Sequence, residues 1–249
     1  MLNSSDGSQD GATQPALETL AVAAFAMSIL AGARGGHHIM RVQHYVRILA
    51  KRLQTHPQFA AVLTEPYIDV LIHAAPLHDL GTIGIPDWIL LKPGSLNPVE
   101  YAIMKTHTTQ AREVIEEAEK TFGYQGDSIQ TLKEIVYCHH EKWDGSGYPQ
   151  GLSGEQIPLA GRLLAIVDVY DTITSDRVYK LRMPHEHAVG EIFHGRGSIF
   201  DPDMVDAFIE IQDEFRPIAQ RYADTSLDMQ RKIEYMANAI AEEAEQPVI

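Results

Sequence analysis

The chain has 249 residues, 45% of them hydrophobic, and a formal net charge of −14 from 34 acidic and 20 basic side chains. That length and apolar content are enough for one large domain with a full core. The acidic balance excludes general phosphate-backbone binding, which draws most of its affinity from a basic surface, so no nucleic-acid polymer is expected as a partner. A small anionic ligand stays compatible if metal ions and a few arginines set the potential in its pocket. Cys138 is the single cysteine, so no intrachain disulfide can form and a reducing compartment fits. The longest uncharged stretch, Thr19 to Ala33, is shorter than the roughly 20 apolar residues of a spanning helix. It follows no Lys or Arg, as a signal peptide would require. It reads as a buried helix; no membrane insertion and a cytoplasmic location are expected.

Residues 1–14 are rich in Ser, Gly, Asp and Gln and have almost nothing to bury, which predicts a disordered tail ahead of one domain over 15–249. From there apolar residues recur at helical spacing. Val42, Tyr45, Val46, Leu49 and Leu53 form one stripe, with His38 a turn earlier on the same face. The segment Ile68 to Leu80 reads as a helix kinked by Pro76 and ended by Gly81, with His78 and Asp79 in its last turn. Asn97-Pro98-Val99-Glu100 is a helix start with a capping box, followed by Ile103, His107, Ala111, Val114 and Ala118 along one face. Asp127 is a candidate cap for the next helix, whose Ile129, Leu132, Ile135 and Val136 lead into His139 and His140. A Gly- and Pro-rich loop from Trp143 to Pro158 precedes a helix carrying Leu163, Leu164, Val167, Asp168 and Ile173. Pro202 to Phe215 and Met229 to Ala244 read as closing helices. No strand alternation and no βαβ rhythm occurs, so the fold class expected is all-α, a compact multi-helix bundle.

Seven potential metal ligands lie in these apolar segments: His38, His78, Asp79, His107, His139, His140 and Asp168. One buried histidine is more commonly a hydrogen-bonded core residue. Seven inward-facing ligands, with His78-Asp79 and His139-His140 adjacent, would each need a separate satisfied partner if no metal were involved. They point to two divalent ions, one carboxylate bridging them and imidazoles capping each. With nitrogen and carboxylate donors and no thiolate, iron or manganese fits best, other transition metals being compatible. Such a centre hydrolyses a phosphodiester without a protein nucleophile.

These residues stand in long ordered motifs: APLHDLGTIGIPDWILLKPG, MKTHTT, HHEKWDGSGYPQGLSGEQIP and LLAIVDVYDTITSDRVYK. From about Leu17 to Tyr222 the chain resembles the HD-GYP phosphodiesterases, a branch of the HD metal-dependent phosphohydrolases, and Gly147-Tyr148-Pro149 is the signature of that branch. The resemblance implies an HD-domain bundle with a GYP-containing loop and a C-terminal helical extension. It implies hydrolysis of cyclic di-GMP to linear pGpG, with GMP as a further product, in bacterial second-messenger signalling. His38, His78, Asp79 and Asp168 match the core ligands, with Asp79 as bridge and catalytic centre, and His107, His139 and His140 match those of the second metal. Tyr148, Asp171, Arg177 and Lys180 match residues that hold the nucleotide, and their chemistry suits phosphate and base.

Two departures concern catalysis. The family usually has His-Asp-Ile-Gly-Lys where this chain has His78-Asp79-Leu80-Gly81-Thr82, so Thr82 stands at the position of a lysine that approaches substrate phosphate. Loss of a positioned general acid costs on the order of 10²- to 10⁴-fold in rate. Arg34-Gly35-Gly36-His37-His38 lacks a glutamate that serves a third metal in some members, leaving a two-metal centre. Ile199 stands where the family often has histidine. The expected function is a cyclic di-GMP phosphodiesterase slowed by Thr82. The alternatives are a catalytically impaired cyclic di-GMP-binding regulatory module and a hydrolase of another cyclic dinucleotide. A tail of 14 residues is too short for a receiver or sensor domain, so signalling input is expected from a partner protein or from homo-oligomerisation.

Overall fold

The structure, a computed structural model, describes residues 36–123, 126–178 and 180–244. The predicted tail, the Thr19 to Ala33 segment and the Arg34 departure lie outside the described residues. Ten α-helices follow one another among the described residues, with only isolated bridges and no strand, which is the all-α bundle expected. They are α1 (Gly36–Leu53), α2 (Glu65–Ala74), α3 (Asp87–Leu90), α4 (Pro98–Lys105), α5 (His107–Phe122), α6 (Asp127–Cys138), α7 (Leu159–Thr174), α8 (His185–His194), α9 (Pro202–Arg221) and α10 (Ser226–Ala244). None of these helices is long and apolar enough to cross a membrane.

Helix α1 is the axis. Its stripe of Val42, Tyr45, Val46, Leu49 and Leu53 is fully buried against α2, α7 and α9. Tyr45 stacks on Phe215 of α9 at 4.7 Å and meets Tyr170 of α7 edge-on at 5.1 Å, and Phe208 packs edge-on against Phe215 at 5.1 Å. These offset and perpendicular contacts fix three helices around one aromatic centre. His38 is buried a turn before the stripe, as its spacing predicts.

Several local expectations change. The α2 helix stops at Ala74, and Pro76 lies in a 3₁₀ turn, Ala75–Leu77, that delivers His78. A proline can stand there because a new turn starts at Ala75, so no helical carbonyl is left to bond its missing N–H. The capping box at Asn97 forms: its side chain accepts from the Val99 and Glu100 amides, and Glu100 accepts from the Asn97 amide. The helix it starts ends at Lys105, however, and a separate α5 begins at His107. That break rotates the buried face to His107, Thr108, Ala111 and Ile115, and Val114 is 62% exposed. Gly126 rather than Asp127 occupies the cap position of α6, and Asp127 is its first helical residue. The helix α8 breaks no sequence rule but had no apolar stripe strong enough to announce it, burying only Ala188 and Ile192.

Gly81 is more than a terminator. A Cβ placed on it would lie 1.9 Å from the His107 carbonyl oxygen and 2.8 Å from the Ala111 amide. The turn after Asp79 therefore lies directly on the first turn of α5, and only glycine permits that approach. Gly81→Ala is expected to push α5 away, destabilising the fold by about 1–3 kcal/mol. Thermal melting with metal titration checks this; an unchanged melting temperature and metal affinity would contradict it.

Candidate metal centre

The seven predicted ligands come from five elements and meet in one place. Asp79 is at their middle: its Oδ2 is 3.5 Å from His78 Nε2, and its Oδ1 is 3.7 Å from His107 Nε2 and 3.8 Å from His139 Nε2. Asp168 Oδ1 is 3.5 Å from His78 Nε2 on the other side. The His38 ring lies 5.5 Å from that of His78, and the His140 ring 4.0 Å from that of His139. Ligand atoms of Asp79, His107, His139 and His140 fall within 4.8 Å of one another.

The backbone sets which nitrogen points inward. Nδ1 of His78 lies 2.8 Å from the Ala75 carbonyl, Nδ1 of His107 2.7 Å from that of Met104, and Nδ1 of His139 2.9 Å from that of Ile135. A carbonyl only accepts, so each Nδ1 carries the proton and each Nε2 presents a lone pair to the cluster. Burial lowers the pKa of His139 well below the usual histidine range and that of His140 to about 4, so both rings are neutral. His107 Nε2 and His139 Nε2 then face each other across 3.5 Å as two lone pairs. That arrangement repels unless a cation lies between, and neutral imidazoles with a carboxylate are a donor set for a transition metal.

His38 is held differently. Its Nδ1 donates to Asp171 Oδ2 at 2.7 Å, and Arg41 donates to both oxygens of Asp171 at 2.5 and 3.2 Å. Burial alone would raise the Asp171 pKa, but His38 and Arg41 together hold it well below the carboxylate range. Asp171, which the resemblance assigns to the nucleotide, thus orients His38 through Oδ2 and is itself held by Arg41 through both oxygens. Arg41 went unnoticed in the sequence; the signal was a charged residue three positions after His38 on an otherwise apolar face.

Glu141 was missed as well. Its buried carboxylate accepts from the Gln150 and Leu152 amides at 2.7 and 3.0 Å and so folds the GYP loop back. Gly147 passes so close that a Cβ would sit 2.5 Å from Glu141 Cα. The Tyr148 amide then reaches the His140 carbonyl at 3.2 Å, and its ring lies 4.8 Å from that of His140.

A cavity of about 870 Å³ opens onto the cluster, within the range of small-ligand sites. His38, Asp79, Thr82, Asp171, Arg177 and Lys232 are on its wall. The Thr82 hydroxyl donates to the Asp79 carbonyl at 2.7 Å. Arg177 is exposed and donates to Thr172 at 2.8 Å, and its backbone pairs with that of Lys180. Lys180 is exposed and does not line the cavity, nor does Tyr148. A second depression of about 490 Å³ beside Tyr170, His185 and Arg216 contains none of the seven ligands.

Residues 40–204 match the family model described as HD domain. The chain is 50% identical over 203 residues to a protein of Vibrio cholerae named "Probable cyclic di-GMP phosphodiesterase", covering 80% of this chain and 46% of that one. It is 44% identical over 219 residues to another Vibrio cholerae protein, named "Cyclic di-GMP phosphodiesterase", covering 86% and 44%. The chain therefore spans less than half the length of these relatives. Among solved structures, a cyclic GMP-AMP specific phosphodiesterase of V. cholerae shares the fold with a TM-score of 0.53 at 18% identity, over 92% of this chain and 59% of that one. The matched span runs through Asp79, His107, His139, His140 and Asp168 and includes the Gly147-Tyr148-Pro149 loop, so the chain belongs to the HD domain family, within its HD-GYP branch.

Proposed function

We propose that the chain is a metal-dependent phosphodiesterase that hydrolyses cyclic di-GMP to linear pGpG, with GMP as a further product. The observation that carries this is the pair of imidazole lone pairs, on His107 and His139, facing each other and one oxygen of Asp79, while the other oxygen of Asp79 faces His78. In this reading His38, His78, Asp79 and Asp168 hold one divalent ion, and His107, His139, His140 and Asp79 a second, with Asp79 as bridge. Iron or manganese suits nitrogen and carboxylate donors best. Such ions, when bound, polarise a phosphodiester and acidify the attacking water.

The chain's own residues do the rest. Three carbonyl-locked imidazoles and the Asp171-held His38 keep the donor atoms fixed, so no reorganisation is needed at the moment of reaction. Arg177 supplies a planar cation for phosphate at the cavity wall, Lys180 beside it adds charge, and the Tyr148 ring offers a base a stacking face. Thr82 faces the same cavity without charge, so the proton for the leaving oxygen has to come from another donor. The names carried by the similar proteins favour turnover over the impaired binding-module alternative. A cytoplasmic location, and input from a partner protein or a second copy, complete the reading.

Anaerobic loading with iron or manganese and chromatography of products from cyclic di-GMP test it; tight binding without any linear product would overturn it. Asp79→Ala is expected to remove both metals and all activity, because no neighbouring group can replace a bridge; retained stoichiometry would contradict the bridging role. Thr82→Lys is expected to raise turnover at unchanged metal content. Asp171→Asn is expected to weaken metal binding by about 10- to 100-fold and to cost about 3 kcal/mol by stranding buried Arg41. Metal titration and chemical denaturation read the two effects separately.

A further inference from the structure

Most cations around the cavity are already matched by carboxylates: Arg41 by Asp171, Lys92 by Glu100 and Lys232 by Asp224. Lys105, which is not on the cavity wall but beside the cluster at Tyr148, is different. Among the described residues no carboxylate contacts its ammonium, in a chain whose net charge is −14. Instead Lys105 Nζ lies over two aromatic rings, 5.3 Å from the centre of Tyr101 and 5.7 Å from that of Tyr148.

Tyr101 and Lys105 are one turn apart on α4 and so share a face. The Tyr101 ring stands perpendicular to that of Tyr148 at 6.3 Å, and Tyr101 is 49% exposed. Tyr148 in turn lies 4.8 Å from the His140 ring and 6.5 Å from that of His107. The three side chains make an open corner, two ring walls with an ammonium between them, against the histidines of the cluster. The corner is anchored from both sides: α4 starts in a capping box and runs directly into His107, and the Tyr148 amide is bonded to the His140 carbonyl. An ammonium over ring faces keeps its donors available to an anion, and a tyrosine wall receives a flat base.

We propose that Tyr101 and Lys105, with Tyr148, form a purine-nucleotide subsite beside the cluster, in which Lys105 contacts a phosphate oxygen and Tyr101 walls the base. This rests on the reading of the cluster as a phosphodiester-hydrolysing centre. Lys105 is a substrate-binding residue, and it donates hydrogen bonds without exchanging a proton.

The test uses the full chain loaded with manganese, comparing hydrolysis of cyclic di-GMP by the wild type, Lys105→Gln, Lys105→Arg and Tyr101→Leu, with metal content and melting measured for each. Lys105→Gln is expected to raise KM about tenfold, the loss of one charge-assisted contact, with kcat much less affected. Lys105→Arg is expected to restore most of that loss, and Tyr101→Leu to raise KM about fivefold. Metal content stays at the wild-type value in all three. Unchanged KM in both Lys105→Gln and Tyr101→Leu overturns the subsite. So does a loss of metal that parallels the loss of activity, since Lys105 would then serve only the framework of the cluster. If the wild type turns over nothing, the hydrolase reading fails on its own. The subsite is then judged by equilibrium titration with GMP, expected to be about tenfold weaker for Lys105→Gln; equal affinity, or binding by neither protein, overturns it.

Discussion

A carboxylate held among imidazoles in the middle of an apolar bundle governs this structure. Asp79 lies within 4 Å of the inward nitrogens of His78, His107 and His139, with the His38 ring edge-on to that of His78 and the His140 ring tilted against that of His139. Removing these polar groups from water is costly unless each is bonded, and the helix ends supply the bonds. His78 closes a 3₁₀ turn and His139 occupies the end of α6, and each gives its Nδ1 proton to a carbonyl of its own preceding turn. Each carbonyl also accepts the amide of the same histidine, so backbone and ring are held on one oxygen and the tautomer that leaves Nε2 facing inward is fixed. The need to end helices at the cluster explains why the fold uses short segments and turns there, whereas α1 and α7 run through intact.

A second constraint ties this centre to the rest of the bundle. Arg41 engages Asp171 with two nitrogens and donates a third bond, of 2.6 Å, to the carbonyl of Tyr222 at the end of α9. A buried ion pair of this kind is weak evidence for stability but strong evidence for geometry, because breaking one side leaves a charge with no water to take it. Three segments far apart in sequence are held in one register: the start of α1, the last turn of α7 and the turn into α10. That turn carries Asp224, which pairs with Lys232 on the cavity wall. The orientation of His38 and the closing of the cavity by α10 therefore depend on the same guanidinium.

The all-α class and the gathering of histidines and aspartates were legible because both rest on local signals. A 3.6-residue stripe placed His38 on the buried face of α1, and adjacent polar pairs in apolar segments announced the cluster. What stayed hidden required knowing which segments touch. Gly81 reads as a helix stop in one dimension, yet its role is set by the His107 carbonyl lying against it, a contact between residues 26 positions apart in the sequence. The break between Lys105 and His107 was invisible for a related reason. The apolar pattern carries on through it, and only the packing of α5 on the Asp79 turn makes Ile115 rather than Val114 the buried residue. Asp171, three residues after Asp168, follows the motif and lines the cavity, yet its contacts with the ring and guanidinium of α1 could not be read from its position in the sequence.

The charge balance of the chain bears on how an anion could be held at such a site. Position 82 offers none of the required charge, since the Thr82 hydroxyl is used within its own turn, on the Asp79 carbonyl. It preserves the shape of that turn while removing a cation from it. Asp79, Asp168 and Asp171 bring negative charge to the same region, and Arg41 and His38 lie directly against that of Asp171. An acidic pocket of this composition would repel a phosphodiester if left to itself. Divalent ions held by these side chains would reverse the sign at the centre, because in a low-dielectric cluster the ion is the largest local charge. The remaining protein cations then matter by position rather than number. Arg177 stands at the cavity wall and Lys105 beside Tyr148, so in the reading proposed above each would orient an anion drawn to the centre rather than merely attract it.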